Sequence, residues 1–194
     1  MSPRPKQRRA TYQDVLDAPA WRVAEMIGGE LRTSPRPSPR HAYAETQLAT
    51  LLNNPFGRGV GGPGGWIVLA EPELHLEGDE AVLVPDLAAW RCERLPVLPD
   101  EAFVRLPPDW VCEVLSPASA AFDRERKLPV YARAGVAHAW LVDPILRTLK
   151  VLAAERSGFS PLASYHDAAH VRAEPFAAVE IDLGELWARG GKGA

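Results

Sequence analysis

Cysteine is nearly absent. The 194 residues hold two, Cys92 and Cys112. They form neither a paired metal spacing nor a disulfide framework, so structural zinc is excluded and a reducing, cytoplasmic setting is expected. No stretch approaches 18 apolar residues, which excludes a helical membrane span. Hydrophobic residues make up 46% of the chain, enough for one domain with a full core. A basic excess is also missing: 22 Lys/Arg stand against 25 Asp/Glu, a net charge of −3. The distribution is uneven, however. Residues 1–40 hold eight Lys/Arg against four acids, or +4, which leaves −7 for the remainder. Met1 to Arg9 is basic and proline-containing, but no apolar segment follows as it would in a secretory signal. Residues 1–10 read as a disordered basic tail and 11–190 as a single domain. The tail is either an arm that tracks phosphates or a solvated extension.

Motifs for several chemistries are lacking too. Gly57 to Gly65 is glycine-rich, yet it has no lysine and no following helix to cradle a phosphate, so it reads as a turn or mobile flap. Ser116 has no histidine at a telling spacing, and Ser116-Pro117 reads as a helix cap rather than a nucleophile. His75, His138, His166 and His170 show no ligand spacing. No helix-turn-helix or zinc finger is present to read a nucleic-acid sequence.

The elements that are present alternate in type. Thr11 to Met26 reads as a short amphipathic helix, with Asp14 near its start and Gly28-Gly29 ending it. Ser38 is placed to cap a second helix, with Pro39 at its first position. That helix, about Arg40 to Asn53, carries one inward stripe of His41, Glu45, Leu48 and Leu52. Trp66 to Glu77 and Glu80 to Ala89 form a hairpin around Gly78-Asp79. A two-residue turn there sets His75 opposite Val82 and Glu71 opposite Asp86. After the proline-rich loop Arg94 to Pro108 comes a buried strand, Trp110 to Leu115. Ser116 to Ala134 contains a helix that Gly135 ends, with Pro129 in its first turn or kinking it. Ala137 to Asp143 and Thr148 to Ala153 form a second hairpin. Phe159 to Ser164 and Val179 to Asp182 are peripheral strands, and Leu183 to Ala188 is a closing turn. The order implies an α/β fold with one mixed β-sheet flanked by helices.

Two acids stand where an apolar strand would rather have no charge. Asp86 lies in Val82-Leu83-Val84-Pro85-Asp86-Leu87, and Glu113 in Trp110-Val111-Cys112-Glu113-Val114-Leu115. A buried carboxylate is costly unless something pairs with it. A divalent cation such as Mg²⁺ or Mn²⁺ is one solution, and a cation held by carboxylates suits phosphate chemistry. Opposed side chains on a hairpin have Cβ atoms about 4.5–5.5 Å apart, so Glu71 against Asp86 makes most sense with a cation between them. Glu71, Asp86 and Glu113 are therefore the metal candidates. Lys127 either forms an ordinary surface pair with Asp123, four residues earlier, or reaches the site to orient water and neutralise developing charge. Tyr131 shares its face. Glu45 and His41 either reach the same cleft or stabilise the start of their helix; for His41 the local role is favoured.

Taken together, Pro85-Asp86, Glu113-Val114-Leu115-Ser116-Pro117, Asp123-Arg124, Lys127, Tyr131, Gly135-Val136 and Trp140-Leu141-Val142-Asp143-Pro144 resemble the Uma-type family of putative restriction endonucleases. Ser34-Pro35 with His41, and Glu71-Pro72-Glu73-Leu74, fit the same pattern, and the likeness runs from about residue 11 to 187. That family belongs to the PD-(D/E)XK nuclease superfamily. The resemblance implies a restriction-endonuclease-like core, magnesium-dependent phosphodiester hydrolysis and DNA as substrate. It makes Asp86 the acid of the PD element and Glu113 the acid of the (D/E)XK element. The lysine slot, two residues after Glu113, holds Leu115, and the resemblance points to Lys127 as its substitute. Without such a substitute the chain is a catalytically silent nucleic-acid-binding or protein-interaction module on the same fold. Cutting both strands of a duplex would call for a homodimer.

Overall fold

The structure is a computed structural model that describes residues 8–188. Residues 1–7 of the expected tail lie outside the described residues. The helix expected over Thr11 to Met26 forms only in its first part and gives way to a strand. Only α1 (Tyr12–Leu16) is helical, and β1 (Arg22–Ile27) follows it. Pro19 supplies the break, since it donates no N–H and pushes the preceding residue out of helical angles. Gly28 and Gly29, with φ of 60° and 81°, form a two-residue hairpin turn into β2 (Glu30–Pro35). Such a turn needs positive φ at both central positions, which glycine adopts without strain.

Ser38 caps α2 (Pro39–Leu52) as the sequence indicates, its hydroxyl accepting the His41 N–H at 3.4 Å. His41, Ala44, Leu48 and Leu52 are buried along one stripe, with Glu45 half-buried beside them. Residues 57–65 then turn back into β3 (Trp66–Ala70).

The next hairpin belongs to two sheets. β3 and β4 (Glu73–Leu76) run out, and β5 (Ala81–Leu83) and β6 (Leu87–Arg91) return. His75 lies opposite Val82, as the two-residue turn requires, and the same register pairs Ala70 with Leu87. Between these pairings the ladder is interrupted at Glu71-Pro72 and at Val84-Pro85-Asp86. Both prolines lack the N–H that a ladder needs. Glu71 takes a left-handed φ of 46°, and its N–H donates to the Asp86 carbonyl at 2.9 Å. Past this joint β4 and β5 sit in a five-stranded sheet ordered β2-β1-β5-β4-β7, where β7 is Phe103–Val104. β3 and β6 sit in a six-stranded sheet with β8 (Trp110–Val114), β9 (His138–Asp143), β10 (Thr148–Glu155) and β11 (Gly158–His166). Each sheet is mixed: β4 runs parallel to β7, and β8 to β9. The α/β reading holds, but the single sheet expected from the sequence is divided at the proline-bearing joint into these two, and a separate two-stranded sheet lies near the C-terminus.

Strand alternation divides the six-stranded sheet into two packed faces. Trp110, Cys112 and Val114 of β8 meet Leu48 and Leu52 of α2, with Phe176, Leu183 and Leu186 from the C-terminal segment. Val111 and Leu115 face the other way, toward Val130 and Tyr131. Those two residues belong to α4 (Leu128–Arg133), which continues from α3 (Ala120–Phe122) through a wide turn, Asp123–Lys127. In that turn the Leu128 N–H bonds the Asp123 carbonyl, five residues back. Pro129 explains the widening, because it removes the next helical donor. β12 (His170–Val171) pairs antiparallel with β13 (Ile181–Asp182), and a single tight helical turn, Leu183–Leu186, follows. Among the described residues no helix is long and apolar enough to cross a membrane.

Candidate active site

The joint between the sheets leaves backbone groups without ladder partners, and buried groups of that kind need others. Two side chains supply them at Val84. Its N–H donates to Glu25 Oε1 at 3.0 Å, and its carbonyl accepts from Lys127 Nζ at 3.0 Å. Asp86 reaches across to the end of β8, where its Oδ2 accepts the Val114 N–H at 2.6 Å. The β6–β8 ladder stops at Leu87–Cys112, so this carboxylate extends it. The other oxygen, Oδ1, accepts from His41 Nε2 at 2.8 Å. His41 therefore does more than stabilise its own helix.

Glu113 points to the opposite face of β8 from Cys112 and is 2% exposed. Lys127 Nζ lies 2.9 and 3.0 Å from its two oxygens, and the Tyr131 hydroxyl donates to Oε1 at 2.7 Å. The same ammonium stands 2.9 Å from Glu25 Oε1 and 3.8 Å from Asp123 Oδ1. Lys127 and Asp123 are not a surface pair, since both are buried. Three buried carboxylates thus converge on one buried cation, and Asp86 adds a fourth acid nearby.

The electrostatics register this surplus of negative charge. Burial raises the Glu113 carboxyl well above its usual range against the opposing charge of Lys127, and Asp123, Asp86 and Glu25 add to the rise. Asp123 is pushed up to about 6, mainly by burial. Glu45 reaches about 7 through burial and the charges of Asp86 and Glu71. Lys127 is lifted above its ordinary value, because Glu113, Glu25 and Asp123 outweigh the effect of burial. For His41, burial favours the neutral ring, but the hydrogen bond and charge of Asp86 prevail and hold it above its usual value.

These groups open into one cleft of about 310 Å³, lined by Glu25, His41, Glu71, Asp86, Glu113, Asp123 and Lys127. Tyr131 lies behind Glu113, and Glu45 flanks Asp86. Among the described residues, His41, Glu45 and Asp86 form a group whose ligand atoms lie within 4.8 Å of one another. Two carboxylates and an imidazole suit a divalent cation, and the excess negative charge around them favours one. This trio shares only Asp86 with the set Glu71, Asp86 and Glu113 inferred from the sequence. Glu71 lies on the exposed rim, and both oxygens of Glu113 are engaged by Lys127 and Tyr131. Glu25 had no place in the sequence reading. Its signal was available, an acid between apolar neighbours in Val23-Ala24-Glu25-Met26-Ile27, but the helical reading of that segment hid it.

Fold and site together define a restriction-endonuclease-like α/β core with an acidic, lysine-containing cleft. The family described as "Uma2: Putative restriction endonuclease" matches residues 9–184, and the chain belongs to that family. No curated protein matches the chain. Among solved structures it is similar to a putative nuclease belonging to DUF820 from Anabaena variabilis ATCC 29413. The two share 19% identity and a TM-score of 0.72 over 91% of this chain and 97% of that one. The likeness establishes a common fold.

Proposed function

We propose that the protein is a metal-dependent endonuclease that hydrolyses phosphodiester bonds, with DNA as its substrate. The observation that carries this reading is Lys127, whose ammonium sits 2.9 Å from Glu113 inside the cleft that Asp86 also lines. It offers the cation that Leu115 does not. Asp86 would hold Mg²⁺ or Mn²⁺ with Glu45 and His41, and Glu113 would join them by turning one oxygen from Lys127 or Tyr131, with Glu71 at the rim. Such an ion, when bound, supplies Lewis acidity and makes water a better nucleophile at neutral pH. Lys127 orients the attacking water and neutralises charge growing on the phosphate oxygens. Tyr131 keeps the Glu113 carboxylate aimed at the cleft, and His41 does the same for Asp86. Water oxygen bonds to phosphorus and sheds a proton to solvent as the bond to the leaving sugar oxygen breaks, and that oxygen takes up a proton from solvent. Membership of a restriction-endonuclease family supports nucleic acid as the substrate, and a pair of copies would suit cutting of both strands.

The test is cleavage of supercoiled plasmid by the full chain with Mg²⁺, with Mn²⁺ and with EDTA. Metal-dependent nicking that Asp86→Ala abolishes supports the reading. DNA binding without nicking under either metal refutes the catalytic claim and favours a silent binding module, which Leu115 at the lysine slot would then explain.

A further inference from the structure

We infer that Glu25 is a positioning residue of this site: it holds the Lys127 ammonium against Glu113 and, through the same oxygen, fixes the backbone that carries Asp86. The inference rests on the nuclease reading above. Lys127 Nζ is surrounded by four oxygens within 3.0 Å, namely Val84 O, both oxygens of Glu113 and Glu25 Oε1. An ammonium has three N–H donors, so these oxygens fix its direction, and the donor that Glu113 gives up on turning to a metal ion is the one left to face water. The four oxygens come from three separate places: the joint, β8 of the large sheet and β1 of the small one. Lysine is a point charge on a flexible stem, and Glu113 alone would leave it free to swing.

Stability does not explain Glu25. Its side chain is 6% exposed, and Lys127 already has Glu113 as a counter-charge. A second buried acid adds desolvation cost without a second cation. A neutral acceptor would satisfy the Val84 N–H equally well. What the carboxylate adds is a second anchor for Lys127 that persists when Glu113 turns to a metal ion. It also ties Val84, two residues before Asp86, to the hairpin β1–β2. The hairpin is also tied to the turn before α3, through Arg32 to the Ala118 carbonyl, and to the wide turn, through Glu30 to Arg126. Of the three ties, Glu25–Lys127 is the buried one.

The experiment compares plasmid nicking by the full chain, in Mn²⁺ and in Mg²⁺, for the wild type, Glu25→Leu, Glu25→Gln, Lys127→Met and the double variant Glu25→Leu/Lys127→Met. Misplacing a reacting group by about 1 Å costs on the order of 10²-fold, so Glu25→Leu is expected to lower kcat by that order with KM for DNA within about twofold. Glu25→Gln, which keeps an acceptor, is expected to stay within about tenfold of the wild type. In the Lys127→Met background Glu25→Leu is expected to cost several-fold less than it does alone, since only its hold on the Val84 N–H is then lost. If Glu25→Leu does not fold, Glu25→Asp takes its place, because it withdraws the carboxylate by one methylene. Wild-type rates in the folded variant, a change confined to KM, or an equal further loss on Lys127→Met each overturn the inference. A wild type that cuts with neither metal removes the nuclease reading itself, and this inference with it.

Discussion

Lys127→Met tests the charge logic of the cleft. The substitution keeps an unbranched side chain and removes the ammonium. Glu113 and Glu25 each lose a cation 2.9 Å away, and Asp123 loses one at 3.8 Å. Deleting one partner of a buried ion pair costs about 3–5 kcal/mol, and three acids share this one, so a loss of roughly 4–5 kcal/mol is expected near pH 8. Each kcal/mol moves Tm by about 2–4 °C in a chain of this size, which makes the expected drop roughly 8–20 °C. The loss should carry a proton signature. Without Lys127 the carboxyls of Glu113 and Asp123 rise further above their unfolded values, so the folded state takes up protons that the unfolded state does not. Stability then increases as pH falls, by about 1.4 kcal/mol per pH unit for each proton taken up. The deficit should therefore shrink markedly between about pH 8 and pH 5.5. Urea unfolding in EDTA, followed by the fluorescence of the six tryptophans, measures it at both pH values. A deficit under about 1 kcal/mol, or one that does not change with pH, would mean that Lys127 is an exposed pair after all.

The wild type should show a weaker form of the same dependence. Glu45 at about 7, Asp123 at about 6 and the raised His41 all bind protons more tightly folded than unfolded, so metal-free Tm should rise from about pH 7.5 to pH 5.5, as thermal melts in EDTA would reveal. Mn²⁺ should raise Tm near neutral pH, by an amount equivalent to about 2.7 kcal/mol at a hundredfold excess over its Kd. Asp86→Asn should remove that rise, and retention of the full rise would exclude Asp86 as a ligand. Tyr131→Phe deletes one hydrogen bond to a buried carboxylate, so urea unfolding should show a loss of about 1.5–3 kcal/mol.

Most of the elements around the cleft can be read from local chemistry. Ser38-Pro39 marks the start of α2 because a hydroxyl cap and a residue with no N–H to waste suit a first turn. The register of the bent hairpin follows from Gly78-Asp79, and it sets Glu71 beside Asp86 even though the strands change sheets between them. Two things are not local. The segment Arg22–Ile27 has apolar residues at spacings that serve a helix as well as a strand, and only its pairing with β2 and β5 decides the matter. The division into two sheets depends on Pro72 and Pro85 lying opposite one another, which matters only once the hairpin has formed.

The site shows the same divide between residue type and placement. Asp86 and Glu113 stand out because a charge in an apolar run must find a partner. The identity of that partner is a tertiary fact. On the strand, Leu115 occupies the slot from which a lysine would approach Glu113, and there it packs against Val130 and Tyr131. The cation comes instead from the helix on the same face of the sheet. An Asp–Lys spacing of four is common on exposed helices, so Asp123 and Lys127 carry no mark of burial. The wide turn over these residues, forced by Pro129, joins two short helical pieces where both side chains turn inward. Once Lys127 is buried its counter-charges must come from whatever strands surround it, and Glu25 arrives from a different sheet, 102 residues away along the chain. On the proposed nuclease reading a helix proline bears on catalysis through geometry alone: it shapes the turn that delivers the lysine, and the lysine compensates for the leucine.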